Sequence, residues 1–180
     1  MNSPRSSLAA LLLVLAPSVA AAQAPLRLEV AAGADLLGDD APGSPFGAYL
    51  AAGVRRRVGA SPWELSAAVV HIGRNSRSAA TRNHIGMTGG RLSFGFAMVR
   101  GVWSLYSNFG IGGYGVTSRT QSPGLPDDRD SGSVLGIDAV VGLRRGVATH
   151  ELALETRLVQ MQGPLDTRSN TLIVAGVVTW

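Results

Sequence analysis

The chain of 180 residues contains no cysteine and no lysine. Without thiols, a disulfide framework is excluded, and so is a zinc site built on thiolates. All 16 basic residues are arginine; with 12 acidic residues the formal net charge is +4 at pH 7. That excess is not gathered into a long basic run. The nearest thing is Arg55-Arg56-Arg57, too little for a nucleic-acid footprint, so no nucleic acid is expected as a partner. A long apolar run is missing as well. After Ala24 no uninterrupted stretch reaches the about 20 residues a membrane-spanning helix needs. Three histidines, His71, His84 and His150, are scattered through the chain. They make neither a metal nor a triad signature, and no cofactor or metal is expected.

What is present begins with an export signal. Residues 1–7 carry Arg5 and no acid, residues 8–16 are continuously apolar, and Ala20, Ala21, Ala22, Gln23 and Ala24 follow. This is the layout of a cleaved secretory signal peptide. Cleavage is expected after Ala22, because the next candidate would put Pro25 directly after the cut. Residues 1–22 are then the signal peptide, and residues 23–180 form one domain. An exported chain without a spanning helix is either soluble or enters a membrane as strands.

The dominant period is two. Leu26, Leu28, Val30 and Ala32 alternate with Arg27, Glu29, Ala31, Gly33 and Asp35, which is the signal of a half-buried strand. The same grammar recurs at 46–55, 63–72, 85–99, 103–118, 134–143 and 149–162, and it ends with 170–180. Glycine, β-branched and aromatic residues within these runs disfavour helix. Eight strands with no helical insert predict an all-β, antiparallel up-and-down barrel. The connectors alternate in length. Those at 36–45, 73–83, 119–131 and 163–169 are long and polar, whereas 56–62, 100–102 and 145–148 are short. Alternating connectors around an even strand number are the pattern of a transmembrane β-barrel, with the short turns on the periplasmic side.

Alternation alone does not say which face points outward. A soluble, lipocalin-like ligand-binding barrel would turn its apolar face inward. The less apolar face here is mostly Gly, Ala and Ser, with one to three charges per strand, which suits a narrow lumen better than a water-facing surface. The charges nearly balance and fall at two levels. Arg27, Glu29, Arg55, Glu64 and Glu151 lie low; Arg91, Asp138, Glu155 and Arg157 lie near the middle. Buried charges must be paired, so these nine residues are expected to form a lumen network that fills the barrel and leaves no open pore. Trp63, Trp103 and Trp180 all fall at periplasmic strand ends, where an interfacial aromatic girdle belongs.

With these features the chain resembles the small eight-stranded OmpA/OmpX-like outer-membrane β-barrel domains, over essentially the whole of 23–180. Leu172, Val174, Val178 and Trp180 look like the C-terminal signal by which such barrels are recognised for insertion. Gly176 departs from the pattern, and Trp replaces the more usual Phe. The resemblance implies a monomer in the bacterial outer membrane, exported through the general secretory pathway. It would be handled by the barrel-assembly machinery and surrounded by outer-membrane lipids and lipopolysaccharide. It also implies a structural or surface-interaction role without catalysis.

Some eight-stranded barrels are lipid A-modifying enzymes. The deacylase family uses a Ser-His-Glu arrangement, with His and Ser one residue apart on the outer wall. Here His71 is followed by Ile72 and Gly73, so that spacing is absent, and His71 is expected at the headgroup level. Asp127-Asp128-Arg129-Asp130 reads as an acidic loop tip without the spacing of a calcium loop. Arg74, Arg77, Arg82, Arg119 and Arg168, on the outer side, could meet lipid phosphates. The run Gly110-Ile111-Gly112-Gly113-Tyr114-Gly115 opens no helix, so it reads as close strand packing or curvature and not as a nucleotide loop.

Overall fold

Period-two sequences form strands only when each finds a neighbour, and here all of them do. The computed structural model describes residues 25–36, 47–77, 81–162 and 169–180. The expected signal peptide at 1–22 lies outside them. Eight strands follow in chain order: β1 (Arg27–Asp35), β2 (Gly47–Arg57), β3 (Trp63–Arg77), β4 (Arg82–Arg100), β5 (Trp103–Gln121), β6 (Asp128–Val147), β7 (His150–Gln162) and β8 (Ser169–Thr179). Each pairs antiparallel with the next, and β8 returns to β1, closing the barrel. The described residues contain no helix long and apolar enough to cross a membrane.

The register fixes the width of the barrel. Stepping across the ladders, Arg27 leads through Arg55, Ser66, Ser93, Gly110, Asp138 and Val159 to Thr171. Thr171 lies two positions past Ile173, the partner of Asp35, and Asp35 lies eight positions past Arg27. The circuit therefore closes with a shear of ten residues. With ordinary strand spacings this gives a tilt of about 40° and a radius of about 8 Å. A lumen of that size has room for side chains and little else.

The strand number and the faces follow the alternation, but the strands are longer than the alternation suggests. β3 runs on to Arg77 and β6 begins at Asp128. Among the described residues the β2–β3 ladder reaches Gly47–Arg74, and the β6–β7 ladder reaches Leu135–Gln162. Among the described residues the wall is taller along β3–β6 than along the other strands, so the described rim is oblique. The sequence 119–131 is mostly strand, and Asp128, Arg129 and Asp130 belong to β6, so the expected acidic loop tip reduces to Asp127. At the opposite end the turns are tight. Arg100 pairs with Trp103 around Gly101, whose φ of 63° needs glycine, and Val147 pairs with His150 around Ala148 at φ 54°.

The apolar face is outside. Leu28, Leu50, Val69, Phe109, Ile137, Leu154 and Leu158 are all exposed on the outer wall. Inside, the half of the lumen nearer the long connectors is an apolar plug of Tyr49, Val70, Ile72, Met87, Tyr114, Val159, Met161 and Ile173. Small residues make room for the large ones. A Cβ on Gly142 would come within 2.4 Å of the Tyr106 ring. That ring cannot swing away easily, because its hydroxyl donates to Glu155 at 2.9 Å and Arg144 covers its face at 4.3 Å. Gly142→Ala is expected to destabilise the barrel by about 1–3 kcal/mol, as overpacked interiors do. Urea unfolding in detergent micelles checks this, and the penalty should shrink in a Tyr106→Leu background.

Candidate functional site

The chemistry of the lumen lies in stacked ion-pair tiers. At the short-turn end, Arg55 reaches three acids: Glu29 at 3.6 Å, Glu64 at 3.2 Å and Glu151 at 2.5 Å. Arg27 pairs with Glu151 from the rim. Arg144 binds Glu64 with both terminal nitrogens, each 3.2 Å from a different carboxylate oxygen, and its Nε lies 3.4 Å from Glu151. Planar guanidinium forks suit this bidentate sharing better than ammonium groups would, consistent with an all-arginine complement. Arg57 approaches Glu64 at 3.8 Å from the half-exposed edge.

The second tier sits deeper. Asp138 is held by Arg91 at 3.2 Å and also by Arg157. Arg157 binds Glu155 at 2.7 Å, and Glu155 accepts the Tyr106 hydroxyl. Arg91 also donates to the Tyr49 hydroxyl at 3.3 Å. All four charged members are nearly fully buried. A third, smaller cluster lies near the long-connector end, where Arg74 binds Asp35 and donates to Thr171.

Of the residues singled out from the sequence, Arg27, Glu29, Arg55, Glu64 and Glu151 come together at the short-turn end, and Arg91, Asp138, Glu155 and Arg157 come together deeper. Two further members escape a reading by strand segments. Arg144 lies one alternation step beyond a strand taken to end at Leu143, and it brings the two main tiers to five arginines against five acids. Arg74 was expected in an outer loop facing lipid phosphate. The longer β3 turns it inward onto Asp35 instead, because it keeps the parity of Val70 and Ile72. Arg168 lies outside the described residues.

On the outer wall, Trp63, Trp103 and Trp180 are all partly exposed at the short-turn end. Trp63 stacks on Phe94, and Arg145 lies over the Trp103 ring. Leu172, Val174, Val178 and Trp180 share the outer face of β8. His71 faces outward and hydrogen-bonds Thr88 through Nδ1 at 2.8 Å, while His84 bonds Asn75 at 2.7 Å. Among the described residues no group of three His, Asp or Glu side chains could hold a metal ion. Near the oblique rim, Arg119 clasps Asp127 and holds its carboxyl below the usual carboxylate range. That contact is present at neutral pH and is lost as pH falls through the lowered pKa.

A closed eight-stranded barrel that is apolar outside and ion-paired inside has the architecture of the small outer-membrane barrels. No protein-family model matches the chain, and no curated protein sequence does. Solved structures do match. Ail, the attachment invasion locus protein of Yersinia pestis, in complex with the heparin analogue sucrose octasulfate, aligns with a TM-score of 0.57 and 13% identity, over 86% of this chain and 97% of that one. Neisserial surface protein A aligns at 0.55 and 16% identity, over 86% and 94%. The N-terminal β-barrel domain of Pseudomonas aeruginosa OprF aligns at 0.53 and 11% identity, over 86% and 97%. The chain has the OmpA/OmpX-like barrel fold.

Removing one partner from a buried ion-pair tier leaves uncompensated charge. Arg55→Met is therefore expected to cost about 3–5 kcal/mol in urea unfolding. Arg27→Met, at a side chain 42% exposed, should cost less than about 1 kcal/mol.

Proposed function

We propose that this chain is a monomeric outer-membrane barrel with a structural or surface-interaction role, acting without catalysis and without an open pore. The observation that carries this reading is the opposition of the two faces. An outer wall of exposed Leu, Val, Ile and Phe, edged by tryptophan at one end, suits a hydrocarbon surround. An interior of neutralised ion pairs beneath an apolar plug suits a filled lumen. A soluble ligand-binding barrel would have the reverse arrangement. The alternation of Leu172, Val174, Val178 and Trp180 on β8 is what an assembly machinery would read on insertion, and residues 1–22 would have directed export.

The surface-interaction part rests on the tall side of the wall, where exposed Arg82, Arg119 and Arg129 stand on adjacent strands. They would meet anionic groups of lipopolysaccharide or of a partner. Ail, with the same fold, was captured with a sulfated sugar.

One observation favours a second reading. His71 and Thr88 form a hydrogen-bonded pair on the outer wall, where a lipid-modifying dyad would need to be. A third group orienting the histidine is missing from that pair among the described residues, and a hydroxyl–imidazole contact alone is weak support for nucleophilic catalysis.

Fractionation of expressing cells tests the main reading. The protein should enter the outer membrane, migrate differently on gels before and after boiling, and give no steady conductance in planar bilayers. Lipid A from those cells should keep its mass. A mass change lost on His71→Ala would favour the enzyme.

A further inference from the structure

The apolar outer wall has a dent. Gly90 and Gly113 stand directly opposite one another on β4 and β5, both on the outward face. Around them a groove of about 800 Å3 is walled by Leu92, Ile111 and Ile137, and Gln160 and Gln162 of β7 stand at its edge. Several glycines in this barrel answer to the chain itself. A Cβ on Gly112 or Gly136 would strike the Tyr114 ring, at 2.7–2.9 Å. Gly113 is different, since a Cβ there meets nothing within 4 Å. Glycine weakens a strand, so a glycine with open space outside it and no packing reason inside points to something that fills the space.

Above the groove, on the same three neighbouring strands, stand Arg82 of β4, Arg119 of β5 and Arg129 of β6, all exposed. Arg119 and Arg129 are directly cross-strand paired, an arrangement of like charges that disfavours pairing unless an anion lies between. Asp127 answers part of that charge through Arg119. Gly113 to Arg119 spans six residues, about 15 Å along the axis of a tilted strand.

We propose that the groove holds an acyl chain of lipopolysaccharide, with the glutamine amides at its polar neck and the three arginines on its phosphorylated sugars. The proposal rests on the outer-membrane reading above and gives it a specific lipid site. A glycerophospholipid carries a single phosphate at its acyl boundary, too little to answer three arginines on three strands that stand about 15 Å above Gly113. Lipopolysaccharide carries anionic sugars over that distance. Lipid tails surround the whole barrel, so selectivity comes from shape and polar contacts and not from hydrophobic transfer.

The test uses the full chain purified from outer membranes in mild detergent, with retained lipid measured by native mass spectrometry. Purified lipopolysaccharide and phosphatidylglycerol vesicles serve as competing probes. The wild-type protein should retain lipopolysaccharide in preference to phosphatidylglycerol. Gly113→Phe, which fills the groove, should lower retention about fivefold, with heat-dependent gel mobility unchanged. Arg82→Ala/Arg119→Ala/Arg129→Ala should lower it about tenfold. Gly113→Leu offers a milder filling should the phenylalanine disturb folding. Undiminished retention in folded groove-filling variants would overturn the groove while leaving the outer-membrane reading intact. Equal retention of phosphatidylglycerol would overturn the choice of lipid. A wild-type protein absent from the outer membrane would overturn both readings.

Discussion

The cost of holding a charge away from water governs the interior of this barrel. Eight strands with a shear of ten make a barrel of about 8 Å backbone radius, and inward-facing side chains occupy most of that width. Each guanidinium that enters must meet a carboxylate, and each carboxylate must meet a guanidinium. The main tiers obey this with five arginines and five acids, bridged so that Arg55, Glu64, Asp138 and Arg157 each serve at least two partners. Small residues on the inner face follow from the same constraint. Gly142 and Gly112 give Tyr106 and Tyr114 room to lie flat, and Tyr106 in turn spans from Arg144 to Glu155.

The outer wall follows a different rule, set by its surroundings and not by pairing. Aliphatic side chains project from every strand, aromatic rings gather at the short-turn end, and polar side chains such as His71, Thr88 and Gln160 mark the other limit. Because neighbouring residues on one strand serve the two rules alternately, a slip of one residue would put arginine on the apolar outer wall and leucine in the ion-pair tiers. Register is therefore specified twice over, from inside and from outside.

Much of this was legible in the sequence. Period-two alternation carries strand number, face and height, and so it brought Arg91, Asp138, Glu155 and Arg157 to one level although they lie far apart in the chain. It failed at strand ends. Arg145-Gly146 reads as the start of a turn, and Gly73 before Arg74 reads as a stop, yet both ladders run on because neighbouring strands continue to supply hydrogen bonds. Local composition does not record how far a partner extends. The outer groove was illegible for a related reason. A glycine demanded by a neighbouring ring and a glycine facing open space look alike until the ring, here Tyr114, is placed.

The unequal strand lengths have a consequence for how the wall holds together. The β4–β5 ladder runs from Arg82–Gln121 to Arg100–Trp103, whereas the described seam between β1 and β8 runs from Leu28–Trp180 to Leu36–Leu172. That seam joins the two strands most distant in the chain, where closing the loop costs the most entropy. The tall β3–β6 sheet can form and stand on local hairpins, like a curved palisade, before the circle is complete. The β1–β8 seam is then the clasp of the circle, the joint that must be made across the greatest separation in the chain.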